Sequence, residues 1–484
     1  MPASRTVFAA AGRAVAIVAT LAAGAAVAAA AVLVPWPEHR VEPSSVVVAP
    51  AESREQRVCP GPLLTLADET ADATTPVSLG AADTVTAVEP PSAEIEQQSL
   101  GAPENPLADS DGGPVALQTR PGEVAAGLLA GAQSQVAADD TVAGLAVAAC
   151  REPVAGSWLV GGSTAVGRVT LVLLANPSDV AATVDVRVHG ETGPVDAPSA
   201  LGIQVPAHEQ RVVSLAGLAP DVASPVVEVT STGGRIAATL EQTAIDGLVP
   251  AGVEFVGAAA APARSQVIPG VLVPEEGGVE SGDDHAEGDA FPALRLFAPG
   301  DTAAQATVRV VPAAGGTGPV IDVELEPGQV LDVPLGVLQR GMYSIAIESD
   351  APVVAAARTT IASIPPTGDA NEGTAGDLAW FTATNPLIGD TAIAVPAGPD
   401  ARLALTNPGD ADVEVRIDQG DRGQTVVVSA GESATVPLDS DDAVVLLGAE
   451  GLHASISFAD ERLLSSFAIE PPGPLDAPIR VYPG

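Results

Sequence analysis

From about Trp158 to the end of the chain, short runs alternate apolar and polar residues one by one, and the runs are separated by Gly, Pro, Asp and Asn. Thr183 to Val188 reads Thr-Val-Asp-Val-Arg-Val, Thr307 to Val310 reads Thr-Val-Arg-Val, and Val413 to Ile417 reads Val-Glu-Val-Arg-Ile. Successive side chains of an extended strand point to opposite faces, so each run puts Val or Ile on one face and Asp, Arg, Thr or Glu on the other. A helix would scatter the same residues around its circumference. The chain is therefore expected to be all-β, and runs this short between turn residues are the signature of β-sandwiches.

The runs also recur as a set. Leu171-Val172-Leu173-Leu174-Ala175-Asn176-Pro177-Ser178-Asp179 precedes the run at Thr183, Leu294-Arg295-Leu296-Phe297-Ala298-Pro299-Gly300-Asp301 precedes the run at Thr307, and Leu403-Ala404-Leu405-Thr406-Asn407-Pro408-Gly409-Asp410 precedes the run at Val413. Each copy then reaches a similar triplet, Val213-Ser214-Leu215, Val333-Pro334-Leu335 or Val436-Pro437-Leu438. Copies lie roughly 110 to 120 residues apart, about the size of one sandwich domain. The expectation is three tandem immunoglobulin-like β-sandwich domains over 57–255, 256–370 and 371–484. Asn176, Pro177, Pro299, Asn407 and Pro408 form the turn motif of the repeat.

Composition says what fills these domains and what they avoid. Only 2% of the residues are aromatic, so Val, Ala and Leu must build the cores. Acids outnumber bases 61 to 21, a formal net charge of −40, and every base is Arg. Such a surface excludes nucleic acid, whose phosphates require clustered basic side chains. The lack of Lys excludes a phosphate-binding P-loop, Schiff-base chemistry and a Ser-x-x-Lys nucleophile.

At the amino terminus, residues 14–34 are small and apolar almost without a break, behind Arg5 and Arg13 in a short cytoplasmic stretch 1–13. About 20 such residues at 1.5 Å each match a membrane's hydrocarbon core, and the arginines orient the rest of the chain outside. The segment is either an uncleaved transmembrane helix or a signal peptide, since Ala26 and Ala28 offer a cleavage site. The protein is accordingly expected at the cell membrane with its bulk extracellular, or secreted if the segment is removed. Residues 35–56 read as a stalk, and Trp36 as an interfacial anchor. Residues 67–112, rich in Asp, Glu, Thr, Ser and Pro, read as a mobile acidic loop inside the first domain. The chain's two cysteines, Cys59 and Cys150, lie beyond the membrane segment, and an even count in an exported chain predicts one disulfide.

Trp158, in Gly156-Ser157-Trp158-Leu159-Val160-Gly161-Gly162, stands ahead of the first copy and Trp380, in Leu378-Ala379-Trp380-Phe381, ahead of the third. Both are read as structural tryptophans capping a core, with an exposed stacking position as the alternative. Cys59-Pro60-Gly61-Pro62, Ala148-Ala149-Cys150, Trp158 with Gly161-Gly162, and Asn176-Pro177 follow one another in that order behind one membrane segment. In this the chain resembles an uncharacterised extracellular envelope family of actinobacteria, the domain of unknown function 5719 family. The resemblance implies an envelope location and a link to envelope glycan assembly, and supplies no chemistry.

No catalytic constellation is legible. His39, His189, His208, His285 and His453 are not spaced as metal ligands, and no Gly-x-Ser-x-Gly elbow presents a nucleophile. Asp283-Asp284-His285-Ala286-Glu287-Gly288-Asp289 and Asp439-Ser440-Asp441-Asp442 carry oxygen ligands of the kind calcium takes, yet neither follows a calcium-loop pattern and both read as solvated loops. The expectation is a non-enzymatic envelope scaffold or accessory subunit, without cofactor, metal or small-molecule substrate. Its partners are the membrane, through the N-terminal segment, and an envelope protein or neutral glycan. The alternative is a carbohydrate-binding or carbohydrate-processing module acting on the cell wall, which aromatic residues exposed around Trp158 or Trp380 beside two carboxylates would favour.

Overall fold

The computed structural model describes residues 19, 20, 22, 46–48, 54–66, 75–279, 289–365, 373–473 and 479–481. The chain is nearly all β, and the alternating runs are strands with the expected faces. In Ala182–Gly190 the residues Ala182, Val184, Val186 and Val188 are buried while Thr183 and Arg187 are exposed, and Ala304–Pro312 follows the same rhythm.

The chain divides into two compact units, residues 1–50 with 477–484, and residues 51–476. In the small one Val46–Val48 pairs antiparallel with Ile479–Val481. Part of the expected stalk is thus a strand, and the last strand of the chain groups with it rather than with the sheets that end at Ile469. The expected membrane segment lies outside the described residues except for Ala19, Thr20 and Ala22, which are helical. No helix among the described residues is long and apolar enough to cross a membrane.

In the large unit the three sequence copies share one topology. The first copy has a sheet of Gly156–Val160, Val226–Gly233, Ala182–Gly190 and Ile203–Val205, and a second sheet of Glu209–Ser214, Arg168–Asn176, Ala237–Asp246 and Val249–Gly257. One buried cluster draws on both sheets, including Leu159, Val172, Leu174, Val184, Val227 and Leu240. The third copy repeats these strand orders, with one sheet of Thr391–Val395, Asp442–Leu447, Val413–Gln419 and Arg422–Val428 and another of Ser433–Pro437, Arg402–Thr406, His453–Ala459 and Leu464–Ile469. In the second copy one strand, Gly341–Ile361, serves both sheets. Its first half pairs with Ala304–Pro312 and Ala263–Val273, and its second half with Ala293–Phe297 and Asp377–Thr382.

The acidic stretch departs from expectation. Residues 67–74 lie outside the described residues, but 75–112 is ordered into the strands Pro76–Ser78, Asp83–Val88 and Glu96–Ser99 and the short helix Ala108–Asp111. Asp83–Val88 pairs with Leu129–Ala138, itself paired with Ala143–Ala149, and Glu96–Ser99 pairs with Val115–Gln118, itself paired with Gln56–Cys59. Side-chain acidity misled here because these strands are half-exposed and recruit apolar partners from outside the acidic stretch. The region expected as one first domain therefore holds two sets of sheets, an amino-terminal set and that of the first copy.

Each set contributes one edge strand to a common centre. Ala143–Ala149 packs against Val249–Gly257 and Leu464–Ile469, and Asp377–Thr382 packs against the same two. The four strands close a ring, in which the amino-terminal sheets stand between the third copy and the first.

Candidate functional site

Asp377, the first residue of its strand, is fully buried where the four edge strands meet. Its Oδ2 accepts the backbone N–H of Leu145 at 3.0 Å and of Leu464 at 2.9 Å. Its Oδ1 accepts that of Leu378 at 2.9 Å and of Val253 at 3.4 Å. One carboxylate thus satisfies an N–H from each of the four strands. Two glycines make the approach possible. Gly144 has φ +142°, and a Cβ there would overlap Asp377 Oδ1; Gly252 has φ +125°, and a Cβ there would fall 2.7 Å from Leu378 N.

Glu254, also fully buried, continues the network. Its Oε1 accepts the Ser465 hydroxyl at 2.7 Å and the Phe255 N–H at 3.0 Å, and its Oε2 accepts the Ser466 N–H at 3.3 Å. Ser465 Oγ in turn accepts the Val147 N–H at 2.9 Å, and Ser466 Oγ donates to the Trp380 carbonyl at 2.8 Å. Burial pushes both carboxyls well above the ordinary range, against the pull of these donors, and for Glu254 the nearby Asp377 adds to the rise. Neither carboxyl is exposed enough to touch a substrate, so this pair ties strands together.

A second tie joins the first and second copies. Arg295 has a fully buried side chain and pairs with Asp332 on the neighbouring strand, Nε to Oδ1 at 2.8 Å and Nη2 to Oδ2 at 2.9 Å. Its remaining N–H groups donate to carbonyls of the first copy, Nη1 to Gly162 at 2.8 Å and Pro225 at 3.0 Å, and Nη2 to Ala223 at 3.3 Å. The guanidinium carbon stands 4.7 Å from the centre of the Trp380 ring. Burial pushes Asp332 up, but the Arg295 charge and hydrogen bonds outweigh it and hold the carboxyl below its usual range.

The third feature is a cavity of about 390 Å³ between the amino-terminal sheets and those of the first and third copies. Its walls are largely small or aliphatic, with Ala130, Gly131, Ile393 and Ile469 among them, and Trp158 lines one side. Charged groups gather in it as pairs. Arg57 lies 3.9 Å from Glu152 and 3.0 Å from Glu55, and Arg151 lies 4.0 Å from Glu470. Glu470 Oε2 accepts from Asn385 Nδ2 at 3.0 Å, whereas Oε1 has no hydrogen-bond partner. Burial raises the Glu470 carboxyl, with Arg151 opposing the rise, and lowers Arg151, with Glu470 opposing the fall.

The residues singled out in the sequence are placed as follows. Cys59 and Cys150 form a disulfide that joins the strand Gln56–Cys59 to the end of Ala143–Ala149. Asn176 and Asn407 occupy equivalent turns: Asn176 Oδ1 accepts the Ser178 N–H at 3.1 Å and Asn407 Oδ1 the Gly409 N–H at 3.0 Å. Their Nδ2 groups donate across the copy, to Val180 and Val205 carbonyls in one and to Ala411 and Val428 carbonyls in the other. Pro177 is buried beside its Asn, while Pro299 and Pro408 are exposed at the matching turns. The two tryptophans are not equivalent. Trp158 is half-buried on an outer-sheet edge against His189 and Phe297, with ring centres 6.2 and 5.8 Å away. Trp380 is buried on the second copy's inner edge strand, rather than ahead of the third copy, and donates from Nε1 to Gln242 at 2.8 Å. No group of three or more metal-binding side chains occurs among the described residues, and most of the Asp283 cluster lies outside them.

Asp377, Glu254, Arg295 and Glu470 were not singled out. The available signal was a lone charge inside an otherwise apolar strand, as in Val253-Glu254-Phe255-Val256 and Leu294-Arg295-Leu296-Phe297. Alternation assigns such a residue to solvent, but Ala293–Phe297 is buried throughout. A buried charge must find partners, and here they come from other copies.

The fold and its ties define a nearly all-β protein whose sheets are locked by buried carboxylates and an arginine. Residues 107–446, more than half of the chain, match the family described as "Family of unknown function (DUF5719)", and the chain belongs to that family. A crystal structure of Thermotoga maritima 1070 is similar at 22% identity over 25% of this chain and 93% of that one, with a TM-score of 0.18. A Ca2+-stabilised adhesin that helps an Antarctic bacterium bind ice is similar at 14% identity over 87% of this chain and all of that one, with a TM-score of 0.11. No protein of curated function matches the chain.

Proposed function

We propose that this is a non-enzymatic protein of the cell envelope, exported behind its apolar N-terminal segment and held outside the membrane as a scaffold or accessory subunit, in a role linked to envelope glycan assembly. The observation that carries the reading is the Cys59–Cys150 disulfide, which uses the chain's two cysteines and persists in oxidising compartments. It is supported by where the buried carboxyls Asp377 and Glu254 spend their bonding capacity, on strand amides and serines rather than toward an opening. The paired sheets of each copy are read as immunoglobulin-like β-sandwiches, an architecture suited to presenting edges and loops to a partner. A carbohydrate-processing role loses one of its two aromatic candidates, because Trp380 is buried.

The test is fractionation of the native cell, protease treatment of intact cells, and crosslinking followed by capture of the protein. The expected result is an envelope protein cut from outside, with no thiol labelled in the absence of reductant and one partner recovered in near-stoichiometric amount. A cytosolic protein with two free thiols would overturn the proposal.

A further inference from the structure

We propose that the free edge of Ser433–Pro437 in the third copy takes up a short extended segment of a partner protein, added as one more strand and carrying a carboxylate that Arg340 receives. The three copies present this edge in equivalent form. Each opens on a residue with a left-handed backbone shortly before Val213, Val333 or Val436, namely His208 at φ +58°, Gly328 at +69° and Gly431 at +73°. In the first copy the edge Glu209–Ser214 is covered by an extended piece of the amino-terminal set. Gly101 bridges it in parallel, its N–H donating to the His208 carbonyl at 2.8 Å and its carbonyl accepting the Gln210 N–H at 2.7 Å. Just beyond, Glu104 sets its carboxylate against Arg211, Nε to Oε1 at 2.6 Å. In the second copy the edge Val330–Pro334 is closed by the first, whose buried cluster takes in Val330 and whose Ser224 hydroxyl donates to Asp332 at 2.9 Å.

In the third copy the edge borders a cavity of about 760 Å³ instead, lined by Ser433, Ala434 and Thr435 on one side and by Pro312, Ala313 and Arg340 of the second copy on the other. The Asn407 N–H donates to the Glu432 carbonyl and that of Leu438 to the Ala401 carbonyl. Even-numbered residues of the edge therefore bond to Arg402–Thr406, and Ser433 and Thr435 turn their N–H and C=O groups outward. Neither outward N–H meets an acceptor among the described residues. A strand residue occupies about 3.3 Å by 4.8 Å by 10 Å, so the cavity has room for about four or five of them. Main-chain bonds give such additions their affinity. Pro437, at the next outward position, has no N–H to offer and ends the added strand there. Of the cavity's charges, Arg402 is held by Asp400, Nε to Oδ2 at 2.8 Å, and Asp460 accepts the Arg462 and Leu463 N–H groups at 2.7 and 2.8 Å. Arg340 is exposed and forms no ion pair among the described residues, so it stands ready to do for an incoming acid what Arg211 does for Glu104. A second copy is disfavoured as the occupant by the formal charge of −40 on each chain.

The inference rests on the accessory-subunit reading, which it deepens, and it is tested in vitro apart from that reading. The full chain, disulfide intact, is titrated calorimetrically with a peptide of its own residues 98–106, Gln-Ser-Leu-Gly-Ala-Pro-Glu-Asn-Pro. In the folded chain the first copy's edge already holds that piece, so the added peptide reads the third copy's edge. Saturable binding at millimolar concentration or below is expected. Thr435→Pro, which removes one outward N–H, Arg340→Gln, and Glu104→Gln within the peptide should each weaken it about tenfold. Both protein variants should keep the parent's urea midpoint, and Arg340→Gln carries the test if Thr435→Pro does not fold. No binding, or binding indifferent to either protein variant, overturns the proposal. So does a dimer of the parent that Thr435→Pro dissolves, since a second copy would then be the occupant. Cellular location and partner capture, which decide the accessory-subunit reading, are read separately from all of these.

Discussion

Replacing Arg295 with Met keeps the aliphatic stem and removes the guanidinium. In the structure that group makes two bonds to Asp332 and three to carbonyls of the first copy, with none of its side chain exposed. The variant leaves the Asp332 carboxylate without its ion pair, and breaking a buried pair from one side costs about 3–5 kcal/mol. Its dependence on pH follows from Asp332. In the intact protein its carboxyl is held below the unfolded value, so the stability it contributes is present above that value and is lost as pH falls through the lower, folded one. Without Arg295, only the Arg358 charge and the Ser224 hydroxyl are left to oppose burial of the carboxyl, and its ionisation becomes less favourable. The deficit of Arg295→Met should therefore be largest near neutrality and shrink in acid, as the lone carboxylate is protonated. Urea titrations followed by tryptophan fluorescence, at neutral pH and below the ordinary carboxylate range, measure both. A loss under about 1 kcal/mol at neutral pH, or one that does not change with pH, would refute this account of the joint.

Other perturbations act on separate ties. Reducing Cys59–Cys150, which spans 91 residues of sequence, should cost about 4–5 kcal/mol in the chain-entropy picture, read as a lower urea midpoint in reductant. Glu241 is buried, accepts the Leu64 N–H at 2.7 Å, and is pushed by burial to about 8. Since this folded value lies above the unfolded one, its favourable contribution is complete below the ordinary glutamate range and fades as pH rises through about 8. Glu241→Gln should thus match the parent in mild acid and exceed it in alkali, which thermal melts across that window would show. Asn407→Ala unbonds the carbonyls of Ala411 and Val428 and the Gly409 N–H, and should lower stability by about 1–3 kcal/mol in the same urea assay.

Local strand structure was legible because burial alternates with a period of two, and the repeat was legible because each copy keeps its Asn-Pro or Ala-Pro turn. Asn176 and Asn407 show why such a turn is kept: each side chain bonds both its own loop and a neighbouring strand. What alternation cannot carry is the assembly of copies. Asp377 sits next to Gly376, where it reads as a turn acid, and its role depends on amides 124 and 232 residues away. Arg295 reads as a solvent-facing residue of a two-faced strand, but a second sheet covers that face. The acidic stretch after Pro76 failed for a related reason, since its strands lean on Leu117 and Leu129, which lie outside it. The cavity beside Trp158 combines residues from three sets of sheets, so no single segment carries its signature.

The closing of four edge strands on one carboxylate is tested most directly by native-state hydrogen exchange at the amides of Leu145, Val253, Leu378 and Leu464, in the parent and in Asp377→Ala. Leu145, Leu378 and Leu464 donate to Asp377 at 2.9–3.0 Å from strands far apart in sequence. They should exchange together in the parent at the free energy of global unfolding, and lose protection together in the variant while amides inside each sheet keep theirs. If Leu145 exchanges rapidly and independently of Leu464 in the parent, or if the variant leaves all four amides unchanged, the ring does not close on Asp377.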